Sequence, residues 1–244
     1  MRLTIGLVLI LVGLAVPTVA ADSGFRVDNT EFDFGLLPPN ATVVHRVWLQ
    51  GGERDTARVT EIKTGCGCLT STAAETIILP GDSMGVVLYW QTRGSLGPQE
   101  VSAYLYVELS PFPVEVPLKG NVVTPSSPNA SLVWTPTVLV LARNQEASTR
   151  QVVQMVNKRG SELKVSLIET GPGISVVLPE TIDPGTPATG YVSRSSDGPP
   201  PPFESSFTME LAGNQEAPFR VTIPVVCGDF SFRPVFTTTE NSAK

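Results

Sequence analysis

Cysteine is scarce in this 244-residue chain, with three residues, an odd number. Three are too few for a disulfide-dense scaffold. In an oxidising compartment at least one thiol must stay free, pair between chains or bind something. Histidine is scarcer still: His45 stands alone. Gly81-Asp82-Ser83-Met84-Gly85 has the G-x-S-x-G spacing of a nucleophile elbow, but no histidine follows Ser83 to serve as base. A Pro-Gly turn precedes the motif and the β-prone Val86-Val87-Leu88-Tyr89-Trp90 follows it, where an elbow needs a strand and then a helix. Basic runs are missing and the net charge is −6. That excludes general nucleic-acid binding, which needs clustered Lys and Arg, and disfavours an anionic membrane surface. Sustained helical periodicity is missing too: no stretch of about 12 residues keeps it.

What is present begins with an export signal. Arg2 supplies one positive charge, and an apolar run extends from Ile5 to Val16 before Pro17. Small residues around Ala20-Ala21 offer a cleavage site, so residues 1–21 are expected to be a removable signal peptide. The run is shorter than the ~20 residues of a membrane span, and no later segment reaches that length. The mature protein is therefore expected to be secreted or periplasmic, with no transmembrane span after cleavage.

Beyond the signal, 21 glycines and 22 prolines are dispersed among short alternating runs. Val43, His45, Val47 and Leu49 share one strand face, while Val44, Arg46, Trp48 and Gln50 share the other. Val86, Leu88 and Trp90 alternate likewise, as do Ala103, Leu105 and Val107, then Val114, Val116 and Leu118. Pro80-Gly81 and Gly94-Ser95 mark turns. This pattern predicts an all-β sandwich.

The framework then repeats at an offset of 105 to 107 residues. His45-Arg46-Val47-Trp48-Leu49 is answered by Gln151-Val152-Val153-Gln154-Met155. Glu75-Thr76-Ile77 is answered by Glu180-Thr181-Ile182, and Pro111-Phe112-Pro113 to Pro117 by Pro218-Phe219-Arg220 to Pro224. Two tandem immunoglobulin-like sandwiches are expected, over residues 25–123 and 130–228. A short linker of residues 124–129 would join them, and a tail of residues 229–244 carries Phe230, Phe232 and Phe236.

The first copy carries Phe32-Asp33-Phe34-Gly35, His45, Cys66-Gly67-Cys68, Pro80-Gly81 and Gly120. In that combination it resembles the bacterial domain-of-unknown-function family fifteen seventy-three. That family is similar to Hydin-type ASH domains, major-sperm-protein domains and pilus-chaperone sandwiches. Leu69 stands where the family usually has threonine. The resemblance implies an immunoglobulin-like sandwich of about seven strands and no agreed activity.

Chemistry, if any, must come from the Cys-Gly-Cys. In a strand, residues two apart lie roughly 6.6 Å apart with parallel side chains. A Cys66–Cys68 bond would therefore need a bend at Gly67. Three readings stay open: a disulfide prone to exchange, a soft-metal pair for Cu(I) or Zn(II), and structural thiols. His45 points inward and could add a third metal ligand. All three positions change together in the second copy, to Gln151, Pro172 and Ile174. Cys227 continues the face of Val221, Ile223 and Val225 and reads as a buried free thiol. The function expected is non-enzymatic: binding or scaffolding toward a protein or cell-envelope partner. The alternative is a metal-binding or thiol-redox role for Cys66 and Cys68, with or without His45.

Overall fold

Alternating apolar residues and frequent Gly/Pro punctuation give the chain strands separated by turns. The computed structural model describes residues 25–73, 76–108, 110–124, 130–143, 150–214 and 217–228. The signal segment 1–21, linker residues 125–129 and the aromatic tail 229–244 lie outside the described residues. No described residue is helical, and the all-β class expected from the sequence is borne out.

The N-terminal half runs β1 (Phe25–Asp28), β2 (Phe32–Leu37), β3 (Thr42–Gly51), β4 (Ala57–Thr64), β5 (Leu69–Ala73), β6 (Ile77–Ile78), β7 (Ser83–Gln91), β8 (Gly97–Val107) and β9 (Val114–Val122). The C-terminal half runs β10 (Leu132–Thr135), β11 (Leu139–Leu141), β12 (Gln151–Asn157), β13 (Leu163–Thr170), β14 (Ile174–Val177), β15 (Thr181–Ile182), β16 (Pro187–Arg194), β17 (Phe203–Gly213) and β18 (Phe219–Cys227).

Each half has a four-stranded sheet, ordered β1-β3-β7-β5 in the first and β10-β12-β16-β14 in the second. Inward side chains of these sheets close two separate hydrophobic clusters. One is centred on Phe34, Leu49, Leu88, Trp90 and Leu105, the other on Trp134, Met155, Phe207, Leu211 and Ile223. The inward parity of Val43, His45, Val47 and Leu49 is borne out, since all four are buried. Val44, assigned by parity to the outer face, is buried as well because the other half of the protein covers it.

The remaining strands form one sheet across both halves, ordered β15-β13-β17-β18-β2-β9-β8-β4-β6. The link is β2, which pairs in parallel with β9 of its own half and touches β18 of the other at Leu36 opposite Val221. Farther along, β18 turns the same edge to β11, with Leu139 opposite Val225. A continuous sheet makes the halves one hydrogen-bonded unit, where the sequence suggested only a short linker.

Candidate functional site

Cys66 and Cys68 lie in the turn that leads from β4 to β5, not in a strand. The Leu69 N–H donates to the Cys66 carbonyl at 3.3 Å, an i to i+3 closure that bends the chain at Gly67. The bend brings the two Cα atoms to 5.2 Å, inside disulfide range, and the sulfurs are bonded to each other. Backbone bonds anchor both sides of the turn: Gly65 N–H to Ser102 O and Gln91 N–H to Cys68 O, each 2.8 Å. The Cys68 N–H also points at Cys66 Sγ, at 3.2 Å. Both cysteines are half-buried against the N-terminal core. The closed loop spans three residues, so in the chain-entropy treatment it constrains the unfolded chain by only about 1.6 kcal/mol. That is well below the usual contribution of a native disulfide in a small domain, about 2–5 kcal/mol. The fold does not rest on this bond.

His45 sits at the junction of the halves. Its ring is 1% exposed and stacks on Phe32, with centroids 4.4 Å apart. Nδ1 lies 2.8 Å from Glu169 Oε2 on β13, and Nε2 lies 2.9 Å from the Asn29 carbonyl. Both partners are acceptors, so two full hydrogen bonds require a hydrogen on each ring nitrogen. The other carboxylate oxygen of Glu169 accepts the Arg46 N–H at 2.8 Å. Beside this pair a cleft of about 430 Å³ opens between the halves, lined in part by Trp48, Ile168 and Arg220.

The junction has a simple cause in strand length. β1 reaches only Trp48–Gly51 of β3, so among the described residues the edge of Thr42–Val47 has no strand beside it. Side chains from the C-terminal half cap the peptide N–H groups of Val44 and Arg46, two residues apart as strand periodicity demands, and a third reaches the Thr42 hydroxyl. Thr42 Oγ1 donates to Glu204 at 2.9 Å, the Val44 N–H to Ser206 Oγ at 2.8 Å, and the Arg46 N–H to Glu169. On the adjoining sheet, Thr222 Oγ1 donates to the Phe34 carbonyl at 2.7 Å and Arg220 Nη1 to the Asp33 carbonyl at 3.2 Å.

These contacts give Phe32-Asp33-Phe34-Gly35 a physical role. Asp33 Oδ1 accepts the Gly35 N–H at 2.8 Å, and Gly35 sits at φ +67° in an irregularity of β2. A Cβ added there would fall on the Arg220 carbonyl, so no side chain fits.

The site predicted from His45, Cys66 and Cys68 is therefore not assembled. The two sulfurs are bonded to each other, and both nitrogens of His45 are taken by Glu169 and Asn29. Among the described residues no group of three or more His, Cys, Asp or Glu could hold a metal ion. His45 serves the junction, whereas the two cysteines close a turn, so the three do not form one site. Sequence reasoning missed Glu169, Ser206 and Asn29. The inward parity of the lone histidine was the sole signal that a polar partner must exist.

Cys227 is a free thiol, fully buried in the second cluster, and burial pushes its pKa up. Ionisation is held back only in the fold. Stability tied to this group is therefore complete below the ordinary thiol range and declines as pH rises through it. A maleimide is expected to label Cys227 only on unfolding. Labelling of the native protein at the rate of an exposed thiol would contradict its burial.

Residues 25–122 match the family described as Protein of unknown function (DUF1573), so the likeness covers the N-terminal half. No curated protein matches the chain. Among similar solved structures is a protein of unknown function from Porphyromonas gingivalis W83. It is 12% identical, with a TM-score of 0.31, over 83% of this chain and 99% of that one. The secreted serine protease VesC from Vibrio cholerae is 10% identical, with a TM-score of 0.37, over 73% of this chain and 48% of that one. The ASH / PapD-like domain 7 of human CEP192 is 11% identical, with a TM-score of 0.35, over 47% and 96%. At these identities and scores the likenesses carry no functional argument. No helix among the described residues is long and apolar enough to cross a membrane.

Proposed function

We propose that this is an exported, non-enzymatic binding or scaffolding protein that takes up an extended polypeptide segment on a sheet edge. The observation that carries the reading is the state of β14. It pairs with β16 alone and holds Ile174-Ser175-Val176-Val177, with no charge and no proline. Natural edges are usually blunted by such residues or by shortness. The long sheet follows that rule, since both of its ends are two-residue strands, β6 and β15.

The register shows which groups β14 offers. The Ser195 N–H donates to Gly173 O at 2.9 Å, so Gly173, Ser175 and Val177 turn their peptide groups toward β16. Ile174 and Val176 then turn theirs outward. On the outer face, Val177 is 53% exposed, beside Tyr191 and Val152 on the next two strands. Free ladder groups and a row of exposed apolar side chains suit an extended, uncharged segment rich in β-branched residues. The occupied state of the only histidine supports the non-enzymatic part of the reading.

The test is a double substitution, Ser175→Lys with Val177→Lys. Both side chains are exposed, so folding stability is expected to stay within about 0.5 kcal/mol. Peptides selected from a display library on the native protein should lose at least about tenfold in affinity for the variant, or about 1.4 kcal/mol. Selected peptides that bind the variant unchanged would defeat the reading.

A further inference from the structure

The free edge leaves one feature of the first half without a role, and that feature goes beyond the binding reading. We propose that Cys66–Cys68 is an exchange-active disulfide that oxidises dithiols on proteins or peptides it meets.

Four observations converge on the turn. The bond closes a loop of three residues, so its loss releases little constraint on the chain, and a disulfide the fold does not need is correspondingly easy to reduce. Both sulfur-bearing residues are half-exposed, and beyond the two cysteines themselves no atom lies within 4 Å of where a side chain on Gly67 would project. An attacking thiolate therefore has an open approach. The Cys68 N–H lies 3.2 Å from Cys66 Sγ, placed to hold a negative charge on that sulfur. The bonds from Gly65 to Ser102 and from Gln91 to Cys68 run through backbone groups and do not depend on the disulfide, so the turn keeps its two ends in place in either state. Cys227 is fully buried in the other half and is kept out of the exchange.

The chemistry follows from the placement of that N–H. A substrate thiolate attacks Cys68 Sγ, and a bond forms between the two sulfurs. The Cys66–Cys68 bond breaks, and its electron pair goes to Cys66 Sγ, which the Cys68 N–H stabilises. The second substrate thiolate then attacks the substrate sulfur of the mixed disulfide and expels Cys68 as thiolate. Cys66 and Cys68 take up the two protons that the substrate thiols gave up. In sum, the substrate dithiol is oxidised to a disulfide and Cys66–Cys68 is reduced to two thiols by two electrons.

The experiment uses the full native protein and two thiol probes, quenched with acid at intervals, alkylated and read by mass. With a synthetic two-cysteine peptide, Cys66–Cys68 is expected to be reduced at least about tenfold faster than oxidised glutathione under the same conditions. A rate equal to or below that of oxidised glutathione would overturn the proposal and leave the bond an inert turn closure. With reduced glutathione at early times, the adduct is expected on Cys68. An adduct on Cys66, or none, would overturn the assignment of Cys66 as the leaving sulfur.

Discussion

Replacing Gly35 by alanine is expected to destabilise the protein by about 3–5 kcal/mol. Two costs combine. An alanine held at φ +67° pays about 1–2 kcal/mol for the left-handed conformation alone. Its Cβ would also fall against the carbonyl of Arg220, a backbone group that cannot rotate away. β18 must then back off from β2, which strips the Thr222 and Arg220 bonds from the Phe34 and Asp33 carbonyls. The buried Phe34 carbonyl left bare adds about 1–3 kcal/mol, while the exposed Asp33 carbonyl turns to water at little cost. Urea unfolding followed by tryptophan fluorescence measures the loss, and hydrogen exchange at the Val44 and Arg46 amides reports whether the seam has opened. Gly67→Ala is the control. Beyond its two neighbouring cysteines no atom lies within 4 Å of its new Cβ, and a change within about 0.5 kcal/mol is expected. If Gly35→Ala behaves like that control, the seam does not depend on the close approach.

The second large effect is expected at Glu169. One carboxylate serves two groups of the other half, the His45 ring and the Arg46 amide. Glu169→Ala leaves His45 Nδ1 and the Arg46 N–H without this partner, at about 1–3 kcal/mol each, while Nε2 keeps Asn29. The combined loss of about 2–6 kcal/mol corresponds to a fall in Tm of very roughly 4–24 °C for a chain of this size. Glu169→Gln is expected to cost far less. Its amide oxygen keeps the Arg46 N–H, its NH₂ donates to Nδ1, and the imidazole then needs only its Nε2 hydrogen for Asn29. A double-mutant cycle with His45→Gln isolates the pair, and a coupling near zero would mean that the two side chains are neighbours without being partners.

Glu169 also marks where sequence reasoning stopped. It lies 124 residues from His45, and Ser206 lies 162 from Val44. It follows an irregularity in β13, where the register against β17 shifts between Leu167 and Glu169. A bulge of that kind has no reliable local pattern in the chain. The Cys-Gly-Cys was visible at once, and its disulfide was among the readings left open. What misled was the assumption of an extended strand at those positions, when the Cys66–Leu69 hydrogen bond makes a turn. Pairing His45 with the cysteines failed for a related reason. Disappearing together in the second copy links residues by history, and only geometry says whether they meet.

Strand faces, turns, the all-β class and the isolation of Cys227 could be read from the chain because each depends on a short-range rule. Side chains alternate with period two, and Gly and Pro restrict or free the backbone where they stand. The union of the halves followed a different logic. β1 is too short to cover β3, which leaves a row of peptide groups that must find partners. Which residues supply them is set by where Glu169 and Ser206 arrive once β13, β17 and β18 have packed. That arrival is a property of the assembled sheets, and it joined two similar stretches of sequence through one continuous sheet.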